Sequence, residues 1–131
     1  INPGGSSDPQ SFIENAGTIY FSANDGTNGK ELWKSDGTTG GTVLVKNINA
    51  IGSSNPYDKT LVSGTVYFTA DNGTNGTELW KTDGTSLGTS MVYDLFPGVG
   101  SSNPSRLTTD GTHLFFQATD GAHGQEPWLY P

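Results

Sequence analysis

The chain repeats one pattern at intervals of 47 and 48 residues. Its three tryptophans mark the interval, at Trp33, Trp80 and Trp128. A Gly-Ser-Ser-Asp/Asn-Pro segment recurs with the same spacing, at 5–9, 52–56 and 100–104. Self-similarity at a fixed period of this length is typical of proteins built from stacked supersecondary units. The sequence therefore predicts three units, namely repeat 1 (1–47), repeat 2 (48–94) and repeat 3 (95–131).

Each repeat reads as a meander of short strands joined by turns. The second predicted strand of repeat 1 is "TIYFSA", in which Ile19, Phe21 and Ala23 share one face and Tyr20 lies on the other. Repeats 2 and 3 keep this alternation. Because both faces are apolar or aromatic, we expect the strand to be covered on both sides. Segments rich in Gly, Asn and Asp follow it and supply turn residues.

Four antiparallel strands in 47 or 48 residues predict an all-β fold of β-propeller-like blades, whose known periods are about 40 to 50 residues. Face-to-face stacking of blades would explain the strand with two apolar faces. A β-trefoil is the alternative, because it also has three four-stranded units. Its units supply one central core from one face, and the two-faced strand favours the propeller.

Repeat 3 stops at Pro131, directly after its third predicted strand. Three blades are too few for a closed ring, which has about four to eight. We therefore expect further repeats of a parent chain, or other copies of this chain, as partners. The first residue is Ile1 rather than Met, which predicts a processed chain or one cut from a longer protein.

Composition excludes several classes of function. The net charge is −7, with 6 Lys and Arg against 13 Asp and Glu, so a nucleic-acid partner or an anionic membrane surface is not expected. No apolar run is long enough for a spanning helix, so membrane insertion is not expected either. The absence of cysteine excludes disulfides, thiolate metal sites and thiol nucleophiles.

Two segments carry a family resemblance. "ELWKSDGTTGGT" (31–42) and "ELWKTDGTSLGT" (78–89) resemble the bacterial ELWxxDGT repeat family. Repeat 3 departs from the motif, because Pro127 replaces the leucine and no Asp-Gly-Thr follows Trp128. The resemblance implies tandem propeller-like blades in large secreted or surface-attached bacterial proteins, with no general activity attached. It favours a non-catalytic scaffold, an adhesin segment or a self-assembling surface fibre.

The repeated Glu-x-Trp positions are the candidate ligand site. They are Glu31 with Trp33, Glu78 with Trp80, and Glu126 with Trp128. An aromatic ring beside a carboxylate suits a lectin-like module that binds surface glycans, which is the alternative function. The favoured interpretation is structural. Each Trp would pack between blades with its indole N–H paired, and each Glu would accept hydrogen bonds at the blade boundary.

Acidic turns and loops supply two further candidates. The Asp-Gly-Thr segments at 36–38 and 83–85 are predicted to cap a hairpin, with Asp bonded two residues on and Gly at positive φ. Asp25, Asp71 and Asp120 lie in Gly-rich loops, where carboxylate and carbonyl oxygens could bind calcium. Calcium is the one cofactor that the sequence suggests, and plain turns are the favoured interpretation.

Catalysis is not predicted. His113, placed in a second strand, and His123, in the next loop, occur only in repeat 3. No nucleophile, zinc or phosphate-binding motif is present. Three equivalent glutamates are not two acids in different environments, as acid–base catalysis requires. The remaining alternative is a non-catalytic part of a larger secreted enzyme.

Overall fold

The computed structural model describes all 131 residues and consists of three small antiparallel sheets. Sheet 1 contains β1 (Gln10–Asn15), β2 (Thr18–Asn24), β3 (Lys30–Ser35) and β4 (Val43–Lys46). Sheet 2 contains β5 (Tyr57–Val62), β6 (Thr65–Asp71), β7 (Thr77–Thr82) and β8 (Ser90–Tyr93). Sheet 3 contains β9 (Ser105–Thr109), β10 (Leu114–Ala118) and β11 (Glu126–Tyr130). In every sheet the strands lie in chain order, so each sheet is a meander within one repeat.

The first hairpin of sheets 1 and 2 shows why the chain turns where it does. Ala16 and Gly17 have φ of 51° and 84°, and Ser63 and Gly64 have φ of 48° and 82°. Two successive positive φ angles are those of a type I′ turn, whose twist matches that of the strands it joins. The predicted Gly-bearing turns are therefore confirmed in these two sheets.

Repeat 3 differs at the same point. The second strand was predicted to include His113, but β10 begins at Leu114. Asp110 Oδ1 accepts hydrogen bonds from the backbone N–H groups of Thr112 and His113, which holds His113 in the turn. The placement of His113 in a strand was wrong, because the carboxylate of Asp110 caps the preceding loop.

The sheets pack face to face. We call the face that carries the tryptophan the front face of each sheet, and the face that carries Tyr20, Tyr67 or Phe115 the back face. Residues from the back of sheet 1 and the front of sheet 2 form one apolar cluster: Tyr20, Leu32, Val45, Ile48, Val66, Phe68, Ala70 and Trp80. A second cluster joins the back of sheet 2 to the front of sheet 3 and includes Tyr67, Leu79, Leu114, Phe116 and Ala118. The central strand β6 is thus covered on both sides, as its alternation predicts.

A third, smaller cluster belongs to the front of sheet 1 alone. It contains Phe21, Ala23 and Trp33, with Ile19 and Leu44 packed against them. The apolar residues therefore lie in layers between and beside the sheets rather than in the single central core of a β-trefoil. No closed ring or barrel is formed by the three sheets. No helix long and apolar enough to cross a membrane is present.

Candidate functional site: the Glu-Trp positions and the joining loops

Glu31 is completely buried at the start of β3, and it holds the loop that leads from sheet 1 to sheet 2. One carboxylate oxygen, Oε2, accepts hydrogen bonds from Ile48 N at 2.8 Å and from Ser54 Oγ at 2.5 Å. The other, Oε1, accepts from Ser54 N at 3.0 Å and from Asn49 N at 3.4 Å. Four donors thus satisfy both oxygens, which a buried carboxylate requires.

Glu78 does the same for the loop between sheets 2 and 3. Its Oε2 accepts hydrogen bonds from Ser102 Oγ at 2.5 Å and from Leu95 N at 3.2 Å. Its Oε1 accepts from Ser102 N at 2.8 Å. The side chain is fully buried, like that of Glu31. The prediction that these glutamates accept donors at the boundary between units is confirmed at both joins.

Burial and hydrogen bonding act on these carboxyl groups in opposite directions. Burial raises the pKa of Glu31, and the hydrogen bonds from Ser54 and Ile48 lower it by less. Burial likewise raises the pKa of Glu78, against the bonds from Ser102. Both oxygens of each group are already engaged inside the protein. Neither carboxylate is therefore placed to contact a ligand or a substrate.

The Gly-Ser-Ser segment was predicted only as a connecting loop, but its serines also bind the two sheets that it joins. Ser53 Oγ accepts a hydrogen bond from Lys30 N, and Ser54 O accepts one from Asp71 N at the end of β6. Ser101 Oγ and Ser102 O make the matching contacts in the next join. The signal for this role was the similar spacing of the serine pair from the preceding Glu, which is 22 and 23 residues after Glu31 and 23 and 24 residues after Glu78.

The tryptophans of repeats 1 and 2 pack inside the protein. Trp33 is 9% exposed and Trp80 is 6% exposed, so neither presents a ring face on which a sugar could stack. The prediction that each indole N–H finds a partner was wrong for both, because Nε1 of Trp33 and of Trp80 is buried without a hydrogen bond. Their ring positions are fixed by apolar packing instead.

Repeat 3 keeps the same residues in a different environment. Glu126 is exposed, and no joining loop lies over it. Trp128 is only half-buried, and its Nε1 donates a hydrogen bond to Ala118 O at 3.0 Å. The six predicted site residues therefore do not form three equal sites, since two pairs are enclosed and one is open.

The Asp-Gly-Thr hairpins have the predicted structure. Asp36 Oδ1 accepts hydrogen bonds from Thr38 N at 2.9 Å and from Thr38 Oγ1 at 2.7 Å. Asp83 and Thr85 make the same two contacts. The glycines between them have φ of 90° at Gly37 and 91° at Gly84. These hydrogen bonds lower the pKa of both aspartates, and Thr38 or Thr85 is the main cause. The turn-capping role is confirmed.

Each predicted calcium loop contains one of the three aspartates, and that carboxylate accepts hydrogen bonds from the backbone of its own loop. Asp25 Oδ1 accepts from Thr27 N and Asn28 N, and these bonds lower its pKa. In repeat 2 the matching position is Asn72, whose amide oxygen makes the same contacts, while Asp71 caps Gly73 N. No group of three or more His, Cys, Asp or Glu side chains lies close enough together to hold a metal ion.

The two histidines lie in different loops, each beside its own aspartate. His113 Nδ1 is 3.0 Å from Asp110 Oδ2, and His123 Nδ1 is 2.8 Å from Asp120 Oδ2. The hydrogen bond to Asp120 raises the pKa of His123, and it lowers the pKa of Asp120 to about 2. His113, Asp110 and His123 are exposed and Asp120 is half-buried. Each pair caps its own loop, and neither is arranged around a nucleophile.

Two cavities remain. An apolar one of about 260 Å³ lies between sheets 2 and 3, beside Val92, Leu95, Trp128 and Tyr130. A polar one of about 230 Å³ lies between residues 27–29 and the joining loop at 47–53. Its walls are amide, hydroxyl and backbone groups together with the apolar side chains of Ala50 and Ile51, and no acidic or basic side chain is among them.

Comparisons with protein-family models, with curated proteins and with solved structures found no match to this chain.

Proposed function

We propose that the chain is a non-catalytic repeat module, in which the three sheets are successive blades of a propeller-like stack of the ELWxxDGT type. It acts as a scaffold, adhesin segment or self-assembling unit of a bacterial protein outside the cell or on its surface. The repeat period, the meander in each sheet and the packing of front face on back face support the propeller-like arrangement. The extracellular setting is supported by the resemblance alone.

The observation that carries this proposal is the burial of Glu31 and Glu78 beneath the joining loops. Both carboxylate oxygens of the motif's glutamate accept hydrogen bonds from the next repeat of the same chain. A residue used in this way fixes the angle and spacing of neighbouring sheets. Conversely, a lectin built on Trp33 and Trp80 would need ring faces that are covered in this structure.

The experiment is the replacement of each buried carboxylate by the amide of the same shape. In Glu31→Gln and Glu78→Gln, the new NH₂ group faces N–H donors that it cannot accept from. We expect each change to lower the free energy of unfolding by about 1–3 kcal/mol, the cost of a buried donor without a partner. Urea unfolding followed by far-UV circular dichroism measures this difference.

Glu14→Gln is the matched control. Glu14 is exposed, and its Oε1 accepts a hydrogen bond from Gly17 N, which a glutamine carbonyl oxygen can also accept. The free energy of unfolding of Glu14→Gln should stay within about 0.5 kcal/mol of that of the parent chain. If Glu31→Gln is as harmless as this control, the joining role is contradicted. Retention of the folded chain by specific sugars on a glycan array would contradict the scaffold proposal.

A further inference from the structure

The loop that joins sheets 2 and 3 contains an acid that the loop between sheets 1 and 2 lacks. Asp94 stands where repeat 1 has Asn47. Asn47 is exposed, and its Nδ2 donates a hydrogen bond to Asn28 Oδ1 at 2.9 Å. At the second join donor and acceptor are exchanged, because Asn75 Nδ2 donates to Asp94 Oδ2 at 2.8 Å. The same contact is therefore made by a neutral amide at one join and by a carboxyl group at the other.

The second oxygen of Asp94 has no hydrogen-bond partner. Asp94 Oδ1 is buried and accepts no hydrogen bond. Each oxygen of the buried Glu31 and Glu78, by contrast, accepts at least one. An ionised oxygen that has lost its water and gained no donor destabilises the folded state. A proton or a cation bound to this oxygen would remove the penalty.

Glu78 lies close to Asp94 and has fewer donors than its counterpart. Its Oε2 accepts a hydrogen bond from the backbone N–H of Leu95, the residue directly after Asp94. Glu31 has four donors, whereas Glu78 has three. Burial raises the pKa of Glu78, and the negative charge of Asp94 adds to this. The second join therefore brings together two carboxyl groups that lack donors.

A proton suits this place better than a metal ion. Neither carboxyl group lines either cavity of the protein, so no space for a hydrated ion adjoins them. No third acidic or histidine side chain lies close enough to complete a metal site. The charged side chains of the neighbouring loops are engaged elsewhere, since Asp71 caps its own loop and His123 pairs with Asp120. No lysine or arginine forms an ion pair with Asp94 or Glu78.

We propose that Asp94 and Glu78 keep one proton between them in the folded protein, and that loss of this proton as pH rises loosens the join between sheets 2 and 3. This inference rests on the joining role proposed for the glutamates, and it adds a dependence on pH at one of the two joins. With the proton lost, two negative charges would oppose the packing of the loop, and one of them has a buried oxygen without a donor.

The raised pKa of Glu78 sets the direction of the effect. Its folded value lies above its ordinary value of 4.5, so the pair stabilises the join fully below pH 4.5 and loses this contribution as pH rises through the folded value. Because the two groups are coupled, the titration step belongs to the pair. Burial also raises the pKa of Glu31, so the decisive comparison is between Asp94 and its variant rather than between the two joins.

The test is amide hydrogen exchange of the 131-residue chain and of Asp94→Asn at pH 5 and pH 8. Asparagine can still accept from Asn75, carries no charge, and is the residue that repeat 1 has at this position. In the parent chain, protection factors in β10 should fall at least about tenfold more than those in β2, the change that one pKa unit produces. In Asp94→Asn this excess fall should disappear.

Asp71→Asn is the matched control for removing one negative charge. Asp71 Oδ1 accepts a hydrogen bond from Gly73 N at 2.7 Å. Its counterpart Asn24 accepts the equivalent bond from Gly26 N at the same distance, so the variant keeps this cap. Asp71→Asn should show the same excess fall in β10 as the parent chain. If it abolishes the fall as Asp94→Asn does, the effect is one of net charge and the proposal is overturned.

The carboxyl ¹³C shifts of the parent chain test the proton directly, even if Asp94→Asn does not fold. At pH 5, where exposed carboxyl groups are mainly ionised, one group of the pair should still be protonated. Two ionised groups would overturn the proposal, as would restored protection of β10 at pH 8 by calcium chloride but not by sodium chloride of equal ionic strength. Such a failure leaves the proposed function standing, because Glu31→Gln tests a join without a second carboxyl group.

Discussion

Lys59 is the residue whose placement opposes the stability of the fold. It lies on β5, at the position that Phe12 and Leu107 occupy in the other repeats, and its ammonium donates only to Pro56 O at 3.1 Å. Burial lowers the pKa of Lys59 to about 7. No carboxylate is paired with it, so the charged form is penalised in the folded state.

Replacing Lys59 with methionine should therefore stabilise the protein. The folded pKa, about 7, is below the unfolded value, so the penalty is complete below pH 7 and fades as pH rises toward 10.5. We expect Lys59→Met to raise the free energy of unfolding by at least about 1 kcal/mol at pH 6, with a smaller gain at pH 9. Urea unfolding at the two pH values measures this.

Lys81→Met on β7 is the control for a general effect of removing positive charge from a protein whose net charge is already −7. It should not reproduce the gain. A gain from Lys59→Met that is the same at pH 6 and pH 9 would contradict the burial of a charged ammonium. It would point instead to apolar contact as the source.

For the glutamates, the role of the side chain could be predicted from the sequence, but its hydrogen-bond partner could not. The need of a buried carboxylate for donors was sufficient to predict a boundary role for Glu31. Its partner could not be predicted, because Ser54 is one of several residues that recur at the same interval. The unpaired indole N–H of Trp33 and Trp80 was not predicted, since packing rather than pairing fixes those rings.

The hairpin between the third and fourth strands is a contact element as well as a turn. Lys34 Nζ donates a hydrogen bond to Gly84 O at 2.8 Å, from the back of sheet 1 to the hairpin of sheet 2. Tyr20 lies against the same glycine, and a Cβ on Gly84 would overlap its hydroxyl group. A Cβ on Gly37, in the equivalent hairpin of sheet 1, would meet nothing within 4 Å.

Gly84→Ala and Gly37→Ala form a matched pair for this contact. Both glycines have φ near 90°, so alanine costs similar backbone strain at each. We expect Gly84→Ala to lose at least about 1 kcal/mol more than Gly37→Ala, because only Gly84 has a neighbour in the way. Denaturant unfolding of both variants, measured at dilution, gives the difference.

Tyr20→Phe supplies the coupling test. Phe115 is the natural residue at this position in repeat 3, so the change is compatible with the fold. It should reduce the cost of Gly84→Ala and leave that of Gly37→Ala unchanged. Equal losses of unfolding free energy for the two alanine variants, with or without the tyrosine, would mean that contact between this hairpin and sheet 1 does not contribute to stability.

At the scale of elements, the meander in each sheet followed from alternation and turn residues. The same reasoning misplaced the start of β10, because capping by Asp110 competes with strand formation at His113. Bulges in the first strands were not predicted either. Ser11, Asp58 and Arg106 share a positive φ at equivalent positions, where the pairing register shifts in each sheet. Residue type gives no signal there, since none of the three is glycine.

At the scale of the molecule, stability depends on which sheet faces are covered. Sheet 2 packs against another sheet on both sides, whereas sheets 1 and 3 each pack against one other sheet. In stacked repeats, the free energy of folding is approximately the sum of the intrinsic stability of each repeat and the energies of the interfaces between neighbouring repeats. Repeats of nearly identical sequence should therefore differ in local stability because of their position alone.

Amide hydrogen exchange measures that difference in strands of similar sequence. Strand β2 ("TIYFSAN") and strand β6 ("TVYFTAD") pair with the same kinds of neighbours within their sheets. We expect the amides of β6 to exchange at least about tenfold more slowly, because a sheet packs against each face of sheet 2 and against only one face of sheet 1. Equal protection of β2 and β6 would contradict stacking as the source of stability, because the packing of a second neighbouring sheet would then contribute nothing measurable.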